Sequence, residues 1–235
     1  MKLGQAANTM STENPDMTAT PSMRWDNFYG DGKHVQWWPR ESIIRHLAKR
    51  KRLRTYYRGL DLGCGIGRNC WLMTVSGIES YGIDISTIAI ERARNRVRDG
   101  EFTAELKVFD GKKIPFDNAM FDLVIADGVL DHMAFDDARS LAREIHRVLG
   151  PNGEMLLTLA STRDDSFSAL PSASLRTCVI DDGPEQGLIQ RFFNRADFKT
   201  LCEDFHEYEV VELEEHWFGG MNGRLSSRWT VSSLK

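Results

Sequence analysis

The 235 residues give room for one α/β domain with a modest extension, and 41% hydrophobic content suffices for a sizeable core. A formal net charge of −4 gives no global pull toward nucleic acid, and 27% charged residues is ordinary for a water-soluble domain. The four cysteines (Cys64, Cys70, Cys178, Cys202) form no C-x-x-C pair, and no apolar run nears the roughly 20 residues of a membrane span. A cytoplasmic chain without membrane or nucleic-acid partner is expected.

Residues 1 to about 22, rich in Ser, Thr, Asn and Pro, predict a disordered tail. A distinct segment follows over 23–56. Trp25, Phe28, Tyr29, Trp37 and Trp38 crowd its start, and Ile43, Ile44 and Leu47 share one helical face after Pro39. The cations Arg45, Lys49, Arg50, Lys51, Arg52, Arg54 and Arg58 read either as the solvated end of that helix or as a docking surface for an anionic partner.

From residue 57 strands and helices alternate. Arg58–Leu62 reads as a buried strand, Arg68–Val75 as a helix, and Tyr81–Ile85 as a second strand. Ser86 caps a helix with Ile88, Ile90 and Ala93 inward. Further strands are predicted over 104–109, 121–126 and 154–160, with a helix over 135–149. Five strands separated by helices argue for a parallel sheet covered on both faces, a Rossmann-like doubly wound α/β fold. Residues 161–193 carry little periodicity and read as an insertion. A helix capped by Asn194, with Asp197 as its capping-box partner, and two strands (209–214 and 227–232) close the chain, and the hairpin makes one strand antiparallel.

The most telling motif is Asp61-Leu62-Gly63-Cys64-Gly65-Ile66-Gly67, between a strand and a helix. Glycines there let a ligand approach bare backbone, and the helix N-terminus offers unpaired N–H groups. Dinucleotide-binding turns place glycines first, third and sixth; here they fall first, third and fifth, with Arg68 sixth. Asp84, Asp110-Gly111 and Asp127-Gly128 end the next three strands, on the edge where open α/β sheets bind ligands. A carboxylate at Asp84 can accept both hydroxyls of a ribose.

These residues resemble the class I S-adenosylmethionine-dependent methyltransferases, with good motif specificity from about Tyr57 to Gly153 and more loosely to Lys235. Phe121-Asp122-Leu123-Val124 and Arg147-Val148-Leu149-Gly150-Pro151-Asn152-Gly153 are further points of likeness. The resemblance implies a seven-stranded sheet of order 3-2-1-4-5-7-6 with strand seven antiparallel. It also implies S-adenosylmethionine as cofactor. Asp61, Gly63 and Gly65 would hold its methionine end, Asp84 the ribose, and Ile85, Asp110 and Gly111 the adenine. Asp127 would open the loop facing the sulfonium.

Methyl transfer is an in-line displacement, in which the protein positions the nucleophile and, for a hydroxyl, removes its proton. His132, just past the fourth strand, suits a base, since a free imidazole titrates near 6.5, or it is a structural residue gating the pocket. His34 is a second candidate. Asp181-Asp182 reads as an acceptor contact or as a plain turn. The N-terminal aromatics, Tyr29 and Trp38 above all, form either core or a lid over cofactor and acceptor. No metal site is expected, because Asp136 and Asp137 suit a helix start. The expected activity is methylation of a small molecule at oxygen; an amine acceptor and a noncatalytic cofactor-binding module stand as alternatives. Trp25-Asp-x-Phe-Tyr with Trp38-Pro39 weakly resembles bacterial methyltransferases of polysaccharide and secondary-metabolite pathways.

Overall fold

A computed structural model describes residues 19–32, 36–50, 55–168, 176–181, 185–217 and 224–235. Two helices, α1 (Pro21–Asp31) and α2 (Glu41–Arg50), precede the alternating unit. That unit runs β1 (Arg58–Leu62), α3 (Arg68–Val75), β2 (Glu79–Asp84), α4 (Thr87–Arg98), β3 (Glu105–Val108) and β4 (Phe121–Asp127). A 3₁₀ turn (Leu130–His132), α5 (Phe135–Val148) and β5 (Leu149–Ala160) complete it. Then come α6 (Asp165–Ser168), β6 (Thr177–Val179), β7 (Ile189–Arg191), α7 (Asp197–Leu201), β8 (Glu207–Trp217) and β9 (Arg224–Leu234).

Seven strands form one sheet in the order β3-β2-β1-β4-β5-β9-β8. β1 to β5 pair in parallel, and β9 runs antiparallel to both β5 and β8. β6 and β7 pair only with each other, so the large sheet counted alone has the expected order 3-2-1-4-5-7-6.

Alternation along the central strands covers both faces. Val124, Ala126 and Leu157 turn toward Ala138, Leu141 and Ile145 of α5, while Leu123, Ile125 and Leu156 turn toward Ile43, Leu47 and Met73. Each such side chain contributes about 1.5–3 kcal/mol on burial. α2 is also fastened by charge. Glu154, fully buried on β5, accepts from His46 Nε2 (2.8 Å) and from the Tyr56 hydroxyl, with Arg50 Nε 3.2 Å away. Burial alone would raise the Glu154 carboxyl, but these partners hold it below its usual value. Of the cationic stretch, Arg50 therefore serves as an internal anchor, while Lys51, Arg52 and Arg54 lie outside the described residues.

Several local expectations shift. The tail expected through residue 22 overlaps α1, which begins at Pro21 with Thr20 Oγ1 accepting from Met23 N (3.3 Å). Ile44 is 42% exposed, because α2 buries only the narrower Ile43–Leu47 stripe. The 161–193 insertion is not featureless, since it carries α6 and the β6–β7 pair. Asn194 and Asp197 do make the reciprocal box, Asn194 Oδ1 accepting from Asp197 N (3.3 Å) and Asp197 Oδ2 from Asn194 N (2.9 Å). No described helix is long and apolar enough to cross a membrane.

Candidate active site

The C-terminal ends of β1, β2, β3 and β4 open into a cavity of about 1810 Å³. Gly63, Gly65, Asp84, Ile85, Asp110, Gly111, Asp127, His132 and Tyr29 all line it. One ligand pocket typically measures about 300–1,000 Å³, so this cavity has room for a cofactor and an acceptor together.

The turn after β1 is shaped by its glycines. Gly63 and Gly65 have φ of 67° and 53°, the left-handed region that a side chain disfavours. A Cβ on Gly63 would fall 2.5 Å from Val129 Cγ2, and one on Gly65 2.5 Å from the Tyr29 hydroxyl. The missing side chains thus let Val129 and Tyr29 pack directly on the turn, with Tyr29 as its facing wall. Asp61 does not line the cavity. It lies fully buried beneath the turn, accepting from Asn69 Nδ2 (3.3 Å) and the Cys70 thiol (3.7 Å). Burial pushes its carboxyl up to about 7, against the lowering effect of Asn69 and Arg68.

Asp84 is nearly buried, and burial raises it to about 6 despite backbone donors. Its Oδ2 accepts from Gly65 N and its Oδ1 from Ser86 N, both at 2.8 Å. Ile85 N is a third backbone donor to this carboxylate, and with two lone pairs on each oxygen it keeps acceptor capacity for a ribose hydroxyl. Beyond it, Ile85 Cγ2 lies 3.2 Å from where a Cβ on Gly111 would sit, so Ile85 and the bare Gly111 backbone form one close-packed stretch of the cavity wall. Asp110 is exposed, and its Oδ1 takes Lys112 N (2.8 Å) and Lys113 N (3.0 Å), contacts that hold its carboxyl below the usual range. The glycine turn, the Asp84 carboxylate and the Ile85–Gly111 wall line one cavity in the order that the methionine, ribose and adenine of S-adenosylmethionine require, so these residues fit that cofactor.

Asp127 is a charge hub. Its Oδ1 accepts from Arg40 Nε (2.8 Å) and Thr158 Oγ1 (2.5 Å), and its Oδ2 from Arg68 Nη2 (2.5 Å). Burial would raise this carboxyl, but Arg68 and Arg40 overcome it and hold it low. Arg40 and Arg68 were not expected as site residues. Arg68, directly after the glycine turn, carried a signal in its position; Arg40, 87 residues from Asp127, carried none.

His132 ends the 3₁₀ turn, and its Nδ1 lies 2.8 Å from the Ile189 carbonyl oxygen of β7. A carbonyl can only accept, so Nδ1 carries the proton and Nε2 is left as the acceptor nitrogen of the neutral ring. Asp131 beside it is fully buried, its Oδ2 accepting from Ala160 N (3.0 Å) and from Arg228 Nη2 (2.8 Å) on β9.

α1 roofs both halves. Its Trp25 meets the His132 ring edge-on at 5.0 Å between centroids, and Tyr29 reaches the glycine turn. Burial and the Asp84 carboxylate push the Tyr29 phenol well above its usual value, which keeps it a neutral donor. Asp26 Oδ1 accepts from Ser86 Oγ (2.6 Å) and Ile88 N (3.2 Å), so α1 supplies an extra cap to α4. Arg24 donates to the Gly187 carbonyl.

Trp38 does not join this roof. It is 74% exposed with its ring 5.9 Å from Trp71, while the nearby Gln36 and Arg40 line the cavity in its place. His34 and Asp182 lie outside the described residues; Asp181 lines the cavity and is exposed. Among the described residues no group of three or more His, Cys, Asp or Glu is placed to hold a metal ion.

Comparison with known proteins agrees with this geometry. Residues 60–157 match the methyltransferase domain family. The 27-O-demethylrifamycin SV methyltransferase of Amycolatopsis mediterranei is 32% identical over 144 residues, 56% of this chain and 52% of that protein. A probable tRNA methyltransferase 9B of Mus musculus is 34% identical over 98 residues, 41% of this chain and 20% of that protein. The chain thus spans about half the length of the first and a fifth of the second. Among solved structures, a SAM-dependent methyltransferase from Methanosarcina mazei shares the fold at TM-score 0.63 and 21% identity, covering 80% of this chain and 96% of that one. Sheet order, glycine turn and strand-end acids point the same way as these matches, and residues 60–157 of the chain carry an S-adenosylmethionine-dependent methyltransferase domain.

Proposed function

We propose that this chain methylates a hydroxyl of a small-molecule acceptor, with His132 Nε2 receiving the hydroxyl proton. The observation that carries this reading is the Nδ1 contact to the Ile189 carbonyl, which leaves Nε2 as the basic nitrogen of a ring lining the cavity. When bound, S-adenosylmethionine supplies an electrophilic methyl group on its sulfonium. The chain's own residues do the rest. Asp84 and the glycine turn orient the cofactor, and Asp110 takes up the adenine edge. Arg40 and Arg68 keep Asp127 ionised and fixed at the floor. Tyr29, Trp25 and Phe28 of α1 cover the site and exclude water, with the 23–56 segment serving as lid and 57–235 as core.

His132 acts by holding its own proton toward Ile189 and accepting another at Nε2. General-base assistance contributes about 10²–10⁴-fold. Asn in place of His132 can still donate to the Ile189 carbonyl but cannot accept the proton. With S-adenosylhomocysteine formation as the assay over a pool of hydroxylated metabolites, His132→Asn should lose about 10²–10⁴-fold in kcat. Its cofactor affinity should be little changed. Unaltered turnover would favour an amine acceptor, whose neutral form needs no base. Transfer to bulk tRNA in preference to every small molecule would overturn the acceptor class.

A further inference from the structure

We infer that Arg228 is an acceptor-binding residue and that the acceptor carries a carboxylate beside its reacting hydroxyl. This rests on the proposed acceptor half of the cavity. β9 places Arg228 opposite Ala160, at the end of β5, so its long side chain crosses the sheet edge to reach the cavity wall. A Cβ on Gly128 would lie 3.4 Å from its Nη2, and His132 lines the same space.

Its pairing is incomplete in an informative way. Asp131 and Arg228 do not meet fork to fork; a single contact, Nη2 to Oδ2, joins them. The other carboxylate oxygen, Oδ1, and the Arg228 Nε are both buried without a hydrogen-bond partner among the described residues. A guanidinium presents five N–H donors, and Nη1 makes no hydrogen bond to any described residue. Asp131 is itself pinned by Ala160 N, and Gln190 Nε2 donates to its backbone carbonyl (3.3 Å). The guanidinium is therefore held by one corner of a residue that lines the cavity, with Nη1 as the donor left over.

What those donors meet is constrained by the neighbouring wall. Trp25, Phe28, Met133, Val179, Ile189 and Phe192 make it apolar, so water is largely displaced by a ligand with a hydrophobic body. A charge-assisted contact to a carboxylate is strongest in such a setting. Asp137 and Asp181, which also line the cavity, are exposed and make no hydrogen bond to the guanidinium, and Asp127, which does feel the Arg228 charge, is already paired with Arg40 and Arg68. Hydroxyl at His132 and carboxylate at Arg228 together define a hydrophobic hydroxy acid.

Matched probes test this without knowledge of the natural acceptor. Binding of 2-hydroxybenzoate and of its neutral amide, 2-hydroxybenzamide, is measured by calorimetry on the full chain saturated with S-adenosylhomocysteine. The wild type should prefer the acid by about tenfold or more, the scale of one charge-assisted contact. Arg228→Gln should erase the preference, and Arg228→Lys should retain part of it. Because Arg228→Gln leaves Asp131 buried and unpaired, the double variant Asp131→Asn/Arg228→Gln serves as the folded control and should likewise bind acid and amide equally. Equal binding of acid and amide to the wild type, no binding of either, or a preference that survives in both glutamine variants overturns the inference. Turnover is a separate reading. Selective binding without methyl transfer breaks the proposed function alone, and transfer to neutral hydroxyls with no acid preference breaks only this inference.

Discussion

The two halves of the cavity are built by different rules. On the cofactor side the decisive contacts are short in sequence: Ser86 N to Asp84 spans two residues and Gly65 N to Asp84 spans 19. On the acceptor side His132 leans on Ile189 across 57 residues, Arg40 on Asp127 across 87 and Arg228 on Asp131 across 97. The first half draws on consecutive strand–helix units from β1 to the end of β3, with Tyr29 of α1 laid against them. The second exists only once the N-terminal helices, the 3₁₀ turn, the β6–β7 pair and β9 have all met. A binding module made locally can stay constant while the distant elements vary the chemistry it is offered.

The comparison breaks if damage on one side spreads to the other. Asp84→Ala removes the diol acceptor and should weaken S-adenosylhomocysteine binding by about ten- to hundredfold in calorimetry. A matching loss of acceptor affinity in cofactor-saturated protein would contradict the division. Acidification gives the next largest effect. The Asp84 carboxyl sits near 6 before ligand binds, and hydroxyl donors stabilise its ionised form, so bound Asp84 must titrate lower. Binding therefore releases protons near pH 6, and affinity should fall below that pH by up to about tenfold per unit. Folding carries the opposite sign. An acid whose folded value is raised holds its proton where the unfolded chain has lost it, so Asp61 and Asp84 favour folding at low pH. That contribution fades as pH rises through about 6–7. Calorimetry in buffers of different ionisation enthalpy reads the proton release directly.

A smaller effect sharpens the boundary itself. Asp26→Ala frees the cap that ties α1 to α4, at a cost of about 1 kcal/mol. Cofactor dissociation, followed by stopped-flow fluorescence of Trp25 and its neighbours, should quicken several-fold while the chemical step is unaltered. Trp38→Ala should do almost nothing, shifting stability by less than about 0.5 kcal/mol with unchanged cofactor affinity. A strong effect there would return Trp38 to the roof, from which its exposure removes it.

Legibility in the sequence followed the same division. Gly63, Gly65, Asp84, Asp110 and Asp127 could be picked out because a strand, a turn and a capped helix each have a period, and the acids recur where the strands stop. Arg68 could have been found by asking what the side chain after the glycine turn faces. Arg40, Arg228 and Gln190 could not, since nothing local distinguishes an inward arginine from the solvated ones of α4. Trp38 misled for a related reason. Aromatic density marks a buried segment, yet the choice of which rings turn inward is made by contacts with Trp71, Asp127 and the glycine turn. The β6–β7 pair escaped notice because three-residue strands are too short to show alternation.

One helix touches both ligand sites. α1 sets Tyr29 against Gly65 and, one turn earlier, Trp25 against His132. An ordered segment that contacts two sites makes them thermodynamically reciprocal. Whatever factor the cofactor imposes on acceptor affinity by seating α1, the acceptor must return to the cofactor. On the proposed function, product departure would need this 11-residue helix to lift, and Asp26 and Arg24, which tie it to α4 and to the Gly187 carbonyl, are the contacts that such lifting must break.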